Sequence, residues 1–477
     1  MKLKDGIPIT SLPVSVPSAE GEIFPLPHIR ENFKLVAYCD DVKPAISSIN
    51  DFIIADKGAA LFERAAGTRL HRDPRTNKCK FLPLGKWRRE LTQEMIPTPY
   101  MKLTDTLDMV GVQLCATWTE TRRKNGDILR KKVQSVCGSW RSGKFLPLTQ
   151  RPFSINTYAL SKVWFRTGSV NLRENDYKSI NSSLKKWLYS DLFFKPEEMV
   201  LFRNVKDGGL GLTSVKHKSE AFLIKSFLEL AANPSYIQSL YLNIIYRVFI
   251  MKENLPPPLL PPYYNGVFFD TICQAKNSGN PIIEMSLKQW YNYLIDRNVI
   301  KDQDNTLRSC RVERLYPEVR WNDVWINVRL AALPNIDKSF AWKLAHDLLP
   351  VEEKLFAAAA IPSSKCKYSC PGDPVGSLEH SFFYCSLTSV VGSWLFDIFK
   401  IQDQNVTASK IIKLDIHVND GLLFLTVKAL QFCWSKRTAG KNAVMTEFET
   451  CLNADLRLML DTKHRDIAEK VLSLMKN

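Results

Sequence analysis

The stretch KCKYSCPGDPVGSLEHSFFYC, Lys365–Cys385, constrains the fold of this 477-residue chain more tightly than any other. Cys366, Cys370, His380 and Cys385 follow the spacing C-x3-C-x9-H-x4-C. Three thiolates and one imidazole so close together match a tetrahedral zinc site, and such a site dictates how the chain between its ligands turns back. Pro371, Gly372, Asp373, Pro374 and Gly376 supply the turns. Four protein ligands fill the shell and leave no position for an activated water, so the expected zinc is structural.

Metal binding requires reduced thiols. The chain has 11 cysteines, an odd number, and most are scattered. Its start, MKLKDGIPIT, lacks the apolar core of a secretory signal, and no apolar run approaches the length needed to span a bilayer. The expectation is an intracellular chain, in the cytoplasm or nucleus, with no membrane contact. Its clustered cysteines then bind metal rather than form disulfides.

A 45% hydrophobic content is that of a folded chain, and the length allows several domains. The net charge of +16 is unevenly placed. Between residues 60 and 165, 20 Lys and Arg face 8 Asp and Glu, which puts +12 of the +16 in this stretch. A concentrated basic surface favours a polyanion, most often nucleic acid.

The pattern along the chain predicts an α+β fold. Residues 1–33 are proline-rich and aperiodic. Strand candidates KLVAY, KCKFLPLG and DMVGVQLCATW, with a helix candidate IADKGAALFERAAG after the first, make 34–115 a mixed region. From 116 to 252 the pattern is helical. Ile128, Leu129, Val133, Val136, Cys137 and Trp140 share one helix face, with Arg130 and Lys131 opposite. A second helix carries Leu184, Trp187 and Leu188, and a third starts after Thr213–Ser214. Prolines in 253–266 favour an extended spacer. A helical region over 267–350, the cysteine cluster within 351–400 and a helical tail over 401–477 complete the chain.

Two other motifs carry possible chemistry. VKDGGLGLTSVKH, residues 205–217, lacks the Gly-Lys-Ser/Thr end of a phosphate loop, so Gly208, Gly209 and Gly211 read as a tight turn before a helix capped by Thr213 or Ser214. KLVAYCDDVKPAI, Lys34–Ile46, presents Asp40 and Asp41 side by side after a strand-like run. Adjacent carboxylates repel, so they sit on a solvated turn or around a metal ion. No Ser–His–Asp or Cys–His set can be assembled from the seven scattered histidines.

The order of these features resembles non-LTR (LINE-type) retrotransposon reverse transcriptases. Tyr38-Cys39-Asp40-Asp41 looks like their Y/F-x-D-D palm hairpin. LFERAAGTRLHRDP and KCKFLPLGKW look like the segments that follow it. INTYALSKVWF resembles the thumb helix, and DGGLGLTSVKHKSEAFLIKSFLE the segment that closes the thumb. FAWKLAHDLLPVEEKLF, the CCHC cluster with Glu379, and Trp434-Ser435-Lys436-Arg437 resemble the zinc-binding region and tail. The resemblance runs from about residue 34 to 440. It implies a partial polymerase palm, a helical thumb and a helical C-terminal region with a small zinc knuckle.

The implied activity is RNA-directed DNA synthesis, in which two Mg²⁺ ions hold primer end and incoming nucleotide. By resemblance Asp40 is a Mg²⁺ ligand, Asp41 supports it and Tyr38 borders the primer end. Arg122, Arg123, Lys124, Arg130, Lys131, Lys132, Arg141 and Lys144 grip the RNA template and DNA primer or target through phosphates. Cys366, Cys370, His380 and Cys385 hold zinc. The pattern departs from the family in one respect. Only 39 residues precede Asp40, and Asp5, Glu20, Glu22 and Glu31 sit in no strand that supplies the other metal-binding aspartate. The chain alone is therefore expected to be inactive, and the alternative is a non-catalytic, nucleic-acid-binding retrotransposon remnant.

Overall fold

The computed structural model describes residues 15–17, 23–25, 35–38, 41–44, 48–66, 75, 79–84, 87–109, 111–140, 146–232, 266–301, 307–402 and 406–476. Its strands are β1 (Ser15–Pro17), β2 (Ile23–Pro25), β3 (Leu35–Tyr38), β4 (Asp41–Pro44), β5 (Lys80–Phe81), β6 (Lys102–Leu103), β7 (Thr106–Met109) and β8 (Val112–Cys115). The helices of the first half are α1 (Ile49–Ala66), α2 (Trp87–Glu90), α3 (Trp118–Ser139), α4 (Arg151–Ser154), α5 (Ser161–Ser169), α6 (Glu174–Leu188), α7 (Glu198–Phe202) and α8 (Val215–Ala232). Then come α9 (Gly266–Asn277), α10 (Leu287–Ile295), α11 (Arg311–Leu315), α12 (Trp321–Asn327), α13 (Asn335–Ala345), α14 (Glu352–Ala357), α15 (Ser389–Gln402), α16 (Ala408–Lys413), α17 (Asp420–Thr438), α18 (Met445–Leu460) and α19 (Arg465–Lys476). The described fold is thus mostly helical, with four small two-stranded sheets. The chain divides into two compact units that interleave in sequence: residues 1–131, 163–178 and 216–293, and residues 132–162, 179–215 and 294–477. The proline-rich spacer lies outside the described residues apart from Gly266.

In the first unit, β3 and β4 form an antiparallel hairpin with Tyr38 opposite Asp41. The 108–118 segment is not one strand. It is the edge of a hairpin, β7–β8, that reverses between Met109 and Val112. The reason is local: the Gly111 N–H donates to Asp108 Oδ1 (2.9 Å), which closes the turn. Helix α1 starts before the sequence pattern suggests, because Ser48 and Asp51 cap it reciprocally (3.0 and 3.3 Å). Its Phe52 is fully buried with Leu91 and Ile96, against Phe81, Trp87, Met101 and Leu103. Among the described residues of KCKFLPLG, Lys80–Phe81 pairs as a strand, parallel to Lys102–Leu103.

Helix α3 docks on β8 through polar side chains. Asn125 accepts from the Gln113 N–H (3.0 Å) and donates to its carbonyl (2.7 Å), and Thr121 Oγ1 accepts from the Cys115 N–H (2.9 Å). These bonds satisfy backbone groups that an edge strand otherwise leaves open. Tyr177 on α6 donates to Ser219 Oγ (2.9 Å), and Ser219 donates to the Thr167 carbonyl (3.0 Å), which ties α5, α6 and α8 together.

In the second unit α17 is buried almost all round, from Gly421 to Val427 and on through Ala429, Leu430, Cys433 and Arg437. Helices α13, α15, α18 and α19 pack against it. Near its middle, Lys428 pairs with the buried Asp337 (2.7 Å) and with Asp455 (2.5 Å). Helix α13 ends at Ala345 rather than running on through Leu349, because Asp347 turns into the left-handed region (φ 59°).

The glycine-rich stretch is the other organising feature of this unit. Gly208 has φ 83°, and a Cβ there would lie 2.4 Å from the Trp325 ring. Its carbonyl accepts from Trp342 Nε1 (2.9 Å) and bonds His346 Nε2 (2.7 Å). Burial holds the His346 imidazole down at about 4, so it is neutral and Nε2 donates. The stretch is a tight turn, as its sequence indicates, and α8 starts at Val215 directly after Thr213 and Ser214.

Candidate metal centre

The backbone folds the knuckle before any metal is invoked. An isolated bridge pairs Lys365 with Val375, and the Cys366 N–H donates to the Pro374 carbonyl (2.9 Å). Between them Ser369, Gly372 and Asp373 all take positive φ, and the Asp373 N–H donates to the Cys370 carbonyl (3.1 Å). This narrow loop turns Cys366 and Cys370 toward each other. His380–Tyr384 then forms one π-helical turn, whose bond from Cys385 N to the His380 carbonyl (2.7 Å) draws the last two ligands together.

All four side chains are buried, and their ligand atoms lie within 4.8 Å of one another. The Sγ atoms are 3.7 Å (Cys366–Cys370), 3.8 Å (Cys370–Cys385) and 3.9 Å (Cys366–Cys385) apart. These are free thiols, not a disulfide. A tetrahedron with metal–sulfur bonds of about 2.3 Å has sulfur–sulfur edges of about 3.8 Å. His380 Nε2 is buried with no hydrogen-bond partner. An orphaned ring nitrogen beside three converging sulfurs is costly unless something binds it. The cluster offers a metal ion four ligands.

Polar groups from neighbouring elements surround the cluster. Arg437 from α17 is 2% exposed. Its Nη2 donates to Glu352 Oε2 (2.6 Å) and to Cys366 Sγ (3.8 Å). Burial works against the guanidinium charge, but the Glu352 carboxylate outweighs it and raises the Arg437 pKa. Glu352, on α14, can approach only because residue 376 is glycine: a Cβ there would lie 2.5 Å from Glu352 Oε2. Tyr368 donates its hydroxyl to the Arg437 carbonyl, which closes the link from knuckle to helix. At Cys370, burial raises the thiol pKa, but the Ser386 side chain and N–H, each 3.4 Å from Sγ, bring it below its usual value.

The other sequence candidates are not members of this cluster. Tyr38 and Asp41 face each other across the β3–β4 hairpin. Asp40, Arg141 and Lys144 lie outside the described residues. On α3, Arg122 donates to the carbonyls of Asn171 (2.8 Å) and Leu172 (2.9 Å). Lys124 donates to Thr106 Oγ1. Arg130 pairs with Asp127 and with the buried Asp176 (3.3 Å), and Arg123 lies 3.7 Å from Asp127. Burial raises the Asp127 carboxyl, but Arg130, Arg173 and Arg123 together bring it below its usual value. Lys131 and Lys132 are exposed and pair with no acid among the described residues.

Among the described residues, Cys366, Cys370, His380 and Cys385 are the only such group of three or more potential metal ligands. No described helix is long and apolar enough to cross a membrane. Spacing identified the four candidate ligands. It did not identify Glu352, 14 positions upstream of Cys366, or the supporting role of Arg437, because both depend on how α14 and α17 pack. No protein-family model matches the chain, and no curated protein matches it.

Proposed function

We propose that the chain is a nucleic-acid-binding protein of the retrotransposon reverse-transcriptase type, built around a structural zinc ion at Cys366, Cys370, His380 and Cys385. The observation that carries the proposal is the near-tetrahedral set of sulfur edges, 3.7–3.9 Å, closed by an imidazole nitrogen with no other partner. Three thiolates and a neutral imidazole around Zn²⁺ carry a net charge of −1, which Arg437 faces. The metal fixes the fold and leaves no open position for chemistry. The nucleic-acid part rests on the +12 charge between residues 60 and 165 and on exposed cations such as Lys131 and Lys132.

Metal analysis and salt-dependent binding test the two parts. The purified chain should carry one zinc per molecule, and Cys385→Ser should lose it. Binding to an RNA–DNA hybrid should weaken linearly in log affinity against log salt. A metal-free wild type, or an affinity indifferent to salt, overturns the respective part.

A second reading, template-directed polymerisation with two Mg²⁺ ions, is favoured by the β3–β4 hairpin, in which Asp41 stands opposite Tyr38. We expect no primer extension by this chain alone. Extension that is lost in Asp40→Asn would establish the second reading instead.

A further inference from the structure

A cleft of about 260 Å³ opens in the second unit beside the Gly208 turn, separate from the metal centre. Its apolar walls are Val205, Leu210, Trp325, Val328 and Trp342, and Gly208 and Gly209 contribute backbone. Its polar lining is Thr149, Gln150, Asn335, Arg329 and Lys338. No acid lines it, and neither cation forms an ion pair among the described residues. Arg329 Nε donates only to the Trp325 carbonyl (3.0 Å), and Lys338 Nζ makes a long contact to the Ala331 carbonyl (3.4 Å). The acid next in sequence, Asp337, is turned away onto Lys428 (2.7 Å). Lys338 is half-buried and Arg329 exposed, and cations with no counter-charge favour an anion. Trp325 and Trp342 are 2% exposed and Trp325 stacks on Trp321 and His346, so the indoles give the cleft apolar ring edges, which favour an aromatic ring. The volume sits just under the roughly 300–1,000 Å³ of small-molecule sites, which admits one compact unit and excludes a duplex.

From these features we infer that the cleft binds one nucleotide unit, a planar base with its phosphate: the ring against the Trp325, Val328 and Trp342 wall, the phosphate on Arg329 and Lys338. The unit can come from a free nucleotide or from an unpaired residue of a single strand, in which bases are open to protein contact. The strand source rests on the nucleic-acid reading above; the free-nucleotide source does not.

The test is calorimetry of the full chain with 5′-AMP, 5′-UMP and adenosine, followed by competition with a short oligo(U). We expect saturable binding of the monophosphates, at least tenfold weaker binding of adenosine, and at least tenfold loss in Arg329→Ala/Lys338→Ala. Val328→Trp, which fills the cleft and removes no charge, should also abolish binding. Thermal melting of each variant checks that it folds. Competition by oligo(U) assigns the strand source; monophosphate binding that oligo(U) leaves intact assigns the free nucleotide. If wild type binds no monophosphate, or if Val328→Trp binds it as wild type does, the inference is overturned. Retained salt-dependent binding of an RNA–DNA hybrid in that case shows that the nucleic-acid reading stands without the cleft.

Discussion

The thiol cluster and the cations of α3 both stand out in the sequence, yet the fold treats them in opposite ways. At the cluster, four side chains from within about twenty residues converge, and His380 Nε2 is left with no partner inside the protein. On α3, Arg122, Arg123, Lys124 and Arg130 turn to the chain's own carbonyls, hydroxyl and carboxylates, while Lys131 and Lys132 stay free of acids among the described residues. Ligand spacing is a local property, so sequence and fold agree on it. Availability of a cation is partly a global one, because Asp127 claims Arg123 and Arg130 from within α3 while other partners arrive from other elements. Asp176, which takes Arg130, belongs to α6.

Removing the metal should break this contrast with the largest effect. Structural zinc sites in small domains are worth about 10–16 kcal/mol of apparent binding energy, which is folding energy where no site exists in the unfolded chain. Cys366→Ser or Cys385→Ser should release the zinc and lower the stability of the second unit by at least about 3 kcal/mol. Metal content and thermal unfolding measure both. A variant that melts with wild type would show that the cluster holds nothing.

The next effect comes from Arg437. Breaking a buried ion pair by removing one partner costs about 3–5 kcal/mol, and losing a group that supports metal ligands costs about 10–100-fold in metal affinity. Arg437→Ala should therefore destabilise the chain and surrender zinc to a chelator at lower concentration. Arg437→Ala with Glu352→Gln should recover part of the stability, since no buried carboxylate is left alone, but little of the metal affinity. Full recovery of both would reduce Arg437 to a partner of Glu352 alone.

A second buried imidazole sharpens the meaning of the first. His346 Nε2 donates to the Gly208 carbonyl, so it needs no metal. Its folded pKa, about 4, lies below the usual 6.5 because burial disfavours the charged ring. Between those values the unfolded state binds the proton first. The stability contributed is complete above pH 6.5 and is lost as pH falls toward 4, by about 3 kcal/mol at most. His346→Gln keeps a donor to Gly208 and removes the titration. The difference between the two proteins' unfolding free energies should therefore change over pH 4–6.5 and be flat above. His217, also held to about 4 by burial, titrates in both and cancels. A flat difference throughout would mean that the His346 ring is not buried neutral.

How much of this was legible in the sequence follows the same division. The Cys/His cluster, the tight Gly208 turn and the helix at Val215 all rest on neighbours in sequence, and the structure contains each of them; of the YCDD segment it describes the strands on either side, β3 and β4. What pattern could not supply is contact between distant segments. Helix α17 is covered on nearly every face, so its buried run Gly421–Val427 carries no helical stripe. The link from Cys366 through Arg437 to Glu352 joins residues 71 and 85 apart. The break in 108–118 turns on a single glycine whose N–H is caught by Asp108. The interleaving of the two units has no sequence signature, since each return crosses an ordinary helix or loop.

The smallest effect on stability, and the most direct test of the contrast, is on α3. Lys131 and Lys132 are exposed, so Lys131→Ala/Lys132→Ala should change the unfolding free energy by no more than about 0.5 kcal/mol. If they meet phosphates, the pair of substitutions should reduce the slope of log affinity against log salt for an RNA–DNA hybrid by about two. Arg122→Ala should do the reverse. Its guanidinium holds two backbone carbonyls between α5 and α6, so its loss should destabilise the fold by about 1–3 kcal/mol and leave the salt slope unchanged. Should Arg122→Ala lower the slope without lowering stability, the internal hydrogen bonds do not commit that side chain in solution, and the cations of α3 act as one phosphate-binding face. Should the lysine pair leave the slope intact, the charge that meets nucleic acid lies elsewhere between residues 60 and 165, and α3 is a helix whose cations serve the fold.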